Sequence, residues 1–226
     1  MNGCTVHAQP YVFGVFDGMG GEEQGEMASL IAARCAANLK IGPCPIEDLQ
    51  QYCKTANEEI CVYADANDIG SMGTTAVIIV FAENEIDLCN IGDSKAFHFD
   101  GEKLEQISVD HCAATFYGEK PPLSQNLGIP PAEMMIEPHY ARGYYHDGDI
   151  YLLCSDGLTD MVSIEEIAKI LTKTAAGGTT DVNEATEELL QKALDNGGRD
   201  NITIILCRVK KRKLGLFDKI FHFLLG

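Results

Sequence analysis

Basic residues are scarce in this 226-residue chain, where 17 Lys and Arg face 34 Asp and Glu for a formal charge of -17. That balance disfavours general binding to polyanions, so no nucleic acid partner is expected. Most of the acidic excess reads as ordinary solvated surface and designates no site. The nine cysteines are odd in number, contain no CxxC pair and sit mostly inside apolar runs. This excludes a disulfide framework and points to reduced, buried thiols in a cytoplasmic protein. No signal peptide is visible, and no run approaches the roughly 20 apolar residues of a membrane span. There is no GxxxxGK[ST] loop, and no GxGxxG follows a strand, which removes the commonest nucleotide-binding readings. What is present, 46% apolar and 23% charged residues, fits one folded domain with a real core, expected as a monomer.

The stretch that organises the chain is Asp17-Gly18-Met19-Gly20-Gly21. It follows a buried strand read over Tyr11 to Phe16 and precedes a helix expected from about Glu23 to Leu39. Gly42-Pro43-Cys44-Pro45 breaks that helix, and a second follows from about Ile46 to Ala64. The period then changes to strands over Thr74 to Phe81, Glu85 to Ile91, Lys95 to Phe99 and Lys103 to Ser108, with a tight turn at Asp100-Gly101. These read as one antiparallel meander. Residues 110–131 read as a surface excursion with one helical turn near Leu123, and Met134 to Ile136 as a short strand. A core strand over Asp149 to Cys154 arrives at Ser155-Asp156-Gly157. Ser163-Ile164-Glu165-Glu166 matches a capping box opening a helix to about Thr174, Gly177-Gly178 interrupts, and another helix spans about Asn183 to Leu194. The last core strand runs from Ile202 to Val209. The pattern predicts an α+β domain over 1–209, with two antiparallel sheets face to face and helices outside.

Residues 210–226 differ in character, a basic block followed by Leu214, Leu216, Phe217, Ile220, Phe221, Phe223, Leu224 and Leu225. This tail is open to three readings: a terminal helix packed on its own domain, a peripheral contact with an anionic membrane, or a docking segment for a partner.

Asp17, the Gly18 carbonyl, Asp93, Asp156 and Asp200 each lie at the end of an apolar strand or in a glycine-rich turn beside one. Taken singly, an Asp-Gly pair is ordinarily a turn. Their repeated placement at strand ends allows them to converge, and converging carboxylates repel and raise one another's pKa values. Two divalent ions would cancel that cost. An all-oxygen set without His or Cys favours Mg²⁺ or Mn²⁺ over zinc. An Asp17 bridging two ions would hold and aim a water for in-line attack on phosphorus.

Five motifs in order, Asp17-Gly18-Met19-Gly20-Gly21, Gly73-Thr74-Thr75, Gly92-Asp93-Ser94-Lys95-Ala96-Phe97, Ser155-Asp156-Gly157-Leu158-Thr159-Asp160 and Asp200-Asn201-Ile202-Thr203, resemble the series of the metal-dependent PP2C-type (PPM) protein serine/threonine phosphatases. Asp110-His111 and Leu127-Gly128 also sit where that family's patterns place them. The resemblance implies a four-layer sandwich with a binuclear Mn²⁺ or Mg²⁺ centre at one end, and hydrolysis of phosphoserine and phosphothreonine in proteins by a metal-bound water. It implies substrates shared with a paired serine/threonine kinase. Asp17 matches the residue bridging both metals, Gly18 the carbonyl ligand, and Asp156 and Asp200 further ligands of the first metal. Asp93, with Asp156, matches the holder of a weaker third ion. Thr74 and Thr75 are expected beneath the site as structural residues, Asn201 orients the Asp200 loop, and His111 is read as structural.

Two departures stand out. Residues 1–16 contain no Arg, Lys, Asp or Glu, whereas the family carries a phosphate-clamping arginine and an acidic run there; only His7 offers a partial substitute. A missing upstream segment or a natural variant would both explain this, and the alternative function is a non-catalytic or weakly active scaffold domain. The flap from Cys112 to Pro122 is short, which predicts an open channel and reduced peptide selectivity.

Overall fold

The computed structural model describes residues 10–19, 24–82, 84–114, 121–175 and 182–210. Strand β1 (Tyr11–Val15) leads to helices α1 (Gly25–Ala37) and α2 (Pro45–Ala66), followed by β2 (Ala76–Phe81), β3 (Glu85–Ile91), β4 (Lys95–Phe99), β5 (Leu104–Gln106) and β6 (His139–Tyr144). Then come β7 (Ile150–Cys154), the short α3 (Asp156–Thr159), α4 (Ile164–Ala175), α5 (Val182–Asp195) and β8 (Ile204–Arg208). The strands form two antiparallel four-stranded sheets, ordered β1-β2-β3-β6 and β5-β4-β7-β8.

Side chains alternate across a strand, so a strand buried on both faces feeds two cores. In β2, Ala76, Ile78 and Val80 pack with Ala28, Ala32, Leu49 and Ile60 beneath α1 and α2. Val77, Ile79 and Phe81 turn the other way, onto Tyr151 and Leu153 of β7 between the sheets. Phe81 meets Tyr151 edge to face at 5.1 Å. Beyond the second sheet, Phe97, Phe99, Ile150 and Leu152 pack against Ile167, Leu171, Leu189 and Ala193 of α4 and α5. The result is the expected four-layer α+β sandwich.

The capping box forms as read: the Glu166 N–H donates to Ser163 Oγ at 3.3 Å and the Ser163 N–H to Glu166 Oε2 at 3.4 Å. The single meander does not. The β2-β3 and β4-β5 hairpins belong to different sheets, because at Gly92-Asp93-Ser94 the chain leaves β3 and β4 pairs with β7 instead. Hairpin signals identify local partners but not which sheet a hairpin joins. No helical turn forms at Leu123, which bridges Cys112 in an antiparallel ribbon. Met134 to Ile136 is irregular, and the strand lies later, at His139–Tyr144. That edge strand is only partly buried and carries Arg142 and Gly143, so it lacks the apolar alternation of an inner strand.

The eight described cysteines are free; Cys53, Cys89 and Cys154 are buried and the others half-buried. Among the described residues no helix is long and apolar enough to cross a membrane. His7 and the rest of residues 1–9, Gly20-Gly21, most of the flap, Gly177-Gly178 and the tail from 211 onward lie outside the described residues.

Ile78 is fully buried between its sheet and the α1-α2 pair. Ile78→Ala is expected to cost about 2–5 kcal/mol through lost transfer energy and the cavity left behind, read as a lower denaturant midpoint at unchanged slope. At the β4-β5 turn, Asp100 Oδ1 accepts from the N–H groups of Lys103 at 2.7 Å and Glu102 at 2.8 Å. These bonds hold its carboxyl below the ordinary 3.8. A depressed carboxylate stabilises above its unfolded pKa and loses that contribution as pH falls through the folded value. Asp100→Ala should therefore lower the melting temperature at neutral pH, and the gap to the native chain should close as the pH drops below about 4.

Candidate metal centre

Antiparallel register brings the chemistry to one rim. Val15 lies opposite Val77 and Ala76 opposite Ile91, so the end of β1, the start of β2 and the end of β3 share an edge of the first sheet. Lys95 pairs with Cys154, which pairs with Ile204, aligning the start of β4, the end of β7 and the start of β8 in the second. Asp17, Asp93, Asp156 and Asp200 leave these strands at that common end.

Backbone and hydroxyl groups hold each turn. The Asp17 carbonyl accepts from Thr75 N–H at 2.9 Å and from Thr74 Oγ1 at 2.9 Å, while its own N–H donates to Thr75 Oγ1 at 3.1 Å. A Cβ on Gly18 would stand 2.2 Å from the Gly25 carbonyl oxygen, so only glycine lets the turn seat directly on the start of α1. Beside Asp93, Lys95 donates to the Asp93 carbonyl at 3.3 Å and pairs with Asp110. His111 donates its backbone N–H to the Gly92 carbonyl at 3.0 Å, in keeping with a structural role. On the second sheet, Ser155 Oγ donates to the Asn201 carbonyl and accepts from Thr203 N–H, each at 3.0 Å, which ties the Asp200 loop to the Asp156 turn. Asp200 Oδ1 accepts from Asn201 N–H at 2.7 Å. Asn201 thus steers the loop through its backbone.

Asp17, Gly18, Met19, Thr75, Asp93, Pro121, Leu123, Asp156 and Asp200 line one cavity of about 170 Å³. Burial, and then the charges of Asp156, Asp200 and Asp93, push the Asp17 carboxyl up from 3.8 to about 7, with a further contribution from a hydrogen bond to Asp156. Among the described residues no three His, Cys, Asp or Glu side chains close to the spacing of a finished metal cage. The four aspartates ring the cavity instead. Clustered carboxylates with the Gly18 backbone beside them, and no cationic side chain among the described lining residues, form a set suited to hard divalent cations, which take oxygen ligands and offset the repulsion.

All five positions expected from the sequence come together here. The lining also includes Met19, Thr75, Pro121 and Leu123. Pro121 and Leu123 belong to the segment 121–124 that pairs with 111–113, where Ala113 N–H donates to the Pro122 carbonyl at 2.9 Å. No periodicity marked that segment. Thr75 had a usable signal, since a hydroxyl at the mouth of an apolar strand is out of keeping with Ala76-Val77-Ile78 behind it.

A family model described as Protein phosphatase 2C matches residues 3–195. The serine/threonine phosphatase stp of Listeria innocua is 31% identical over 220 residues, spanning 88% of this chain and 84% of that protein. Among solved structures, the Mycobacterium tuberculosis serine/threonine phosphatase PstP/Ppp superposes with a TM-score of 0.76 at 28% identity, covering 92% of this chain and 94% of that one. The catalytic domain of PstP in complex with two manganese ions superposes with a TM-score of 0.74 at 30% identity over the same shares of each chain. Family match, sequence relatives and fold coincide over most of the chain, which belongs to the protein phosphatase 2C family.

Proposed function

We propose that this protein is a metal-dependent phosphatase that hydrolyses phosphoserine and phosphothreonine in proteins. The observation that carries the reading is the convergence of four aspartates, delivered by strand ends of both sheets, on one cavity whose described lining residues include no Lys or Arg. Two divalent ions, Mn²⁺ or Mg²⁺, would suit this set, held by Asp17, the Gly18 carbonyl, Asp156 and Asp200. Asp93 and Asp156 together suit a weaker third ion. When bound, such ions supply Lewis-acid chemistry, offsetting the charge on phosphoryl oxygens and making water a competent nucleophile. Asp17 has to release its proton to take a cation, and the hydrogen bonds to its backbone aim the carboxylate without consuming its oxygens. No cysteine lines the cavity among the described residues, so nothing there supports a thiol nucleophile.

The manganese-bound PstP domain supports the choice of Mn²⁺, and the stp relative supports protein substrates. Phosphoproteins modified by a paired kinase, a cytoplasmic location, and a 210–226 tail set apart from a 1–209 phosphatase domain complete the proposal.

Mn²⁺-dependent release of phosphate from a phosphothreonine peptide is the direct test. Saturable turnover is expected, reduced by about 100-fold or more in Asp17→Asn and Asp156→Asn. A folded native chain without turnover would shift the reading to a non-catalytic scaffold. A second expectation concerns the metal-free chain. Because the folded-state pKa of Asp17 lies above the unfolded value, the folded state keeps a proton that the unfolded chain releases, and stability falls as pH rises from about 4 to about 7. In EDTA, Asp17→Asn should flatten that decline. At pH 8 it should be more stable than the native chain by on the order of 1 kcal/mol, the figure discounted for solvent screening at this half-buried group. Thermal melts across that pH range decide it.

A further inference from the structure

Thr75 and Ser94 place their hydroxyl oxygens 2.7 Å apart. Ser94 is fully buried and Thr75 is 3% exposed. They come from opposite sides of the seam between the sheets: Thr75 stands at the mouth of β2, and Ser94 closes the Gly92-Asp93-Ser94 crossing into β4. Thr75 Oγ1 also accepts the Asp17 N–H, so one hydroxyl pair links the Asp17 turn to the turn bearing Asp93. The same threonine carries the crossing sterically. A Cβ on Gly92 would lie 2.6 Å from Thr75 Cγ2, which brings the crossing backbone directly onto the Thr75 side chain. Two buried hydroxyls cost more than two apolar groups of the same shape unless their bonds are used, and a valine would fill the Thr75 position without that cost.

We propose that the Thr75–Ser94 hydroxyl pair is a positioning device for the cation site, setting the Asp17 carboxylate relative to Asp93 across the seam between the two sheets. Neither residue is assigned contact with substrate; both act through the aspartates. The proposal rests on the metal-centre reading above.

Thr75→Val keeps the shape and removes the hydroxyl, Thr75→Ser restores it, and Ser94→Ala removes its partner. Mn²⁺ affinity by calorimetry and amide hydrogen exchange of Asp17 in EDTA are the two readouts. Thr75→Val is expected to weaken Mn²⁺ binding by about tenfold or more and to speed Asp17 exchange, while Thr75→Ser stays within about twofold of the native chain. Ser94→Ala should act in the same direction, and the Thr75→Val, Ser94→Ala double variant should lose little beyond Thr75→Val alone, since the two share one interaction. Native Mn²⁺ affinity in a folded Thr75→Val, or equal losses in Thr75→Val and Thr75→Ser, overturns the proposal. Faster exchange without weaker Mn²⁺ binding also overturns it, by reducing the pair to a structural contact. Should Thr75→Val fail to fold, Ser94→Ala decides by the same two readouts. A native chain that binds no Mn²⁺ overturns the metal-centre reading and this proposal with it, whereas a native chain that binds Mn²⁺ beside an unaffected Thr75→Val overturns this proposal alone.

Discussion

Four carboxylates gathered at one rim of a β-sandwich repel one another, and everything near that rim answers to the repulsion. At Asp17, burial first and then its acidic neighbours push the carboxyl up to about 7. Side chains alone would splay away from such crowding. The backbone prevents it. Thr74 and Thr75 grip the Asp17 peptide group on both sides, and Ser155 ties the Asp200 loop to the Asp156 turn. The restraining bonds reach the aspartates largely through main-chain atoms, which leaves carboxylate oxygens for cations.

The sandwich makes that restraint rigid. Its inner strands β2, β3, β4 and β7 are buried on both faces, so the turns they carry at the rim are anchored by side chains reaching into two separate cores. Phe97 and Phe99 pack under α4 and α5 while Ala96, just before them, faces the inter-sheet core. A shift of the Asp93 turn would disturb both layers at once. Membership of the protein phosphatase 2C family follows from the match over residues 3–195, and the crowded rim gives that membership a physical content.

The cavity itself carries no positive side chain among its described lining residues. A phosphate dianion entering it would meet four carboxylates, a charge that bound divalent cations would offset.

Local chemistry made much of the chain legible in advance. The Ser163 to Glu166 capping box, the proline-broken junction before α2 and the Asp100-Gly101 turn are short-range devices whose partners lie within a few residues. The apolar strands announced themselves by β-branched runs, and the aspartates by standing at their ends. Sequence by itself therefore determined the inner strands and the long helices, the α+β class and the identity of the candidate ligands. Tertiary structure decided what no local signal encodes: that β4 leaves its sequence neighbour β3 for β7, that the polar edge strand His139–Tyr144 completes the first sheet, and that Thr75 meets Ser94 across the seam. Each is a pairing between segments whose own patterns are satisfied by more than one partner. The choice is made by which arrangement buries both faces of the inner strands at once.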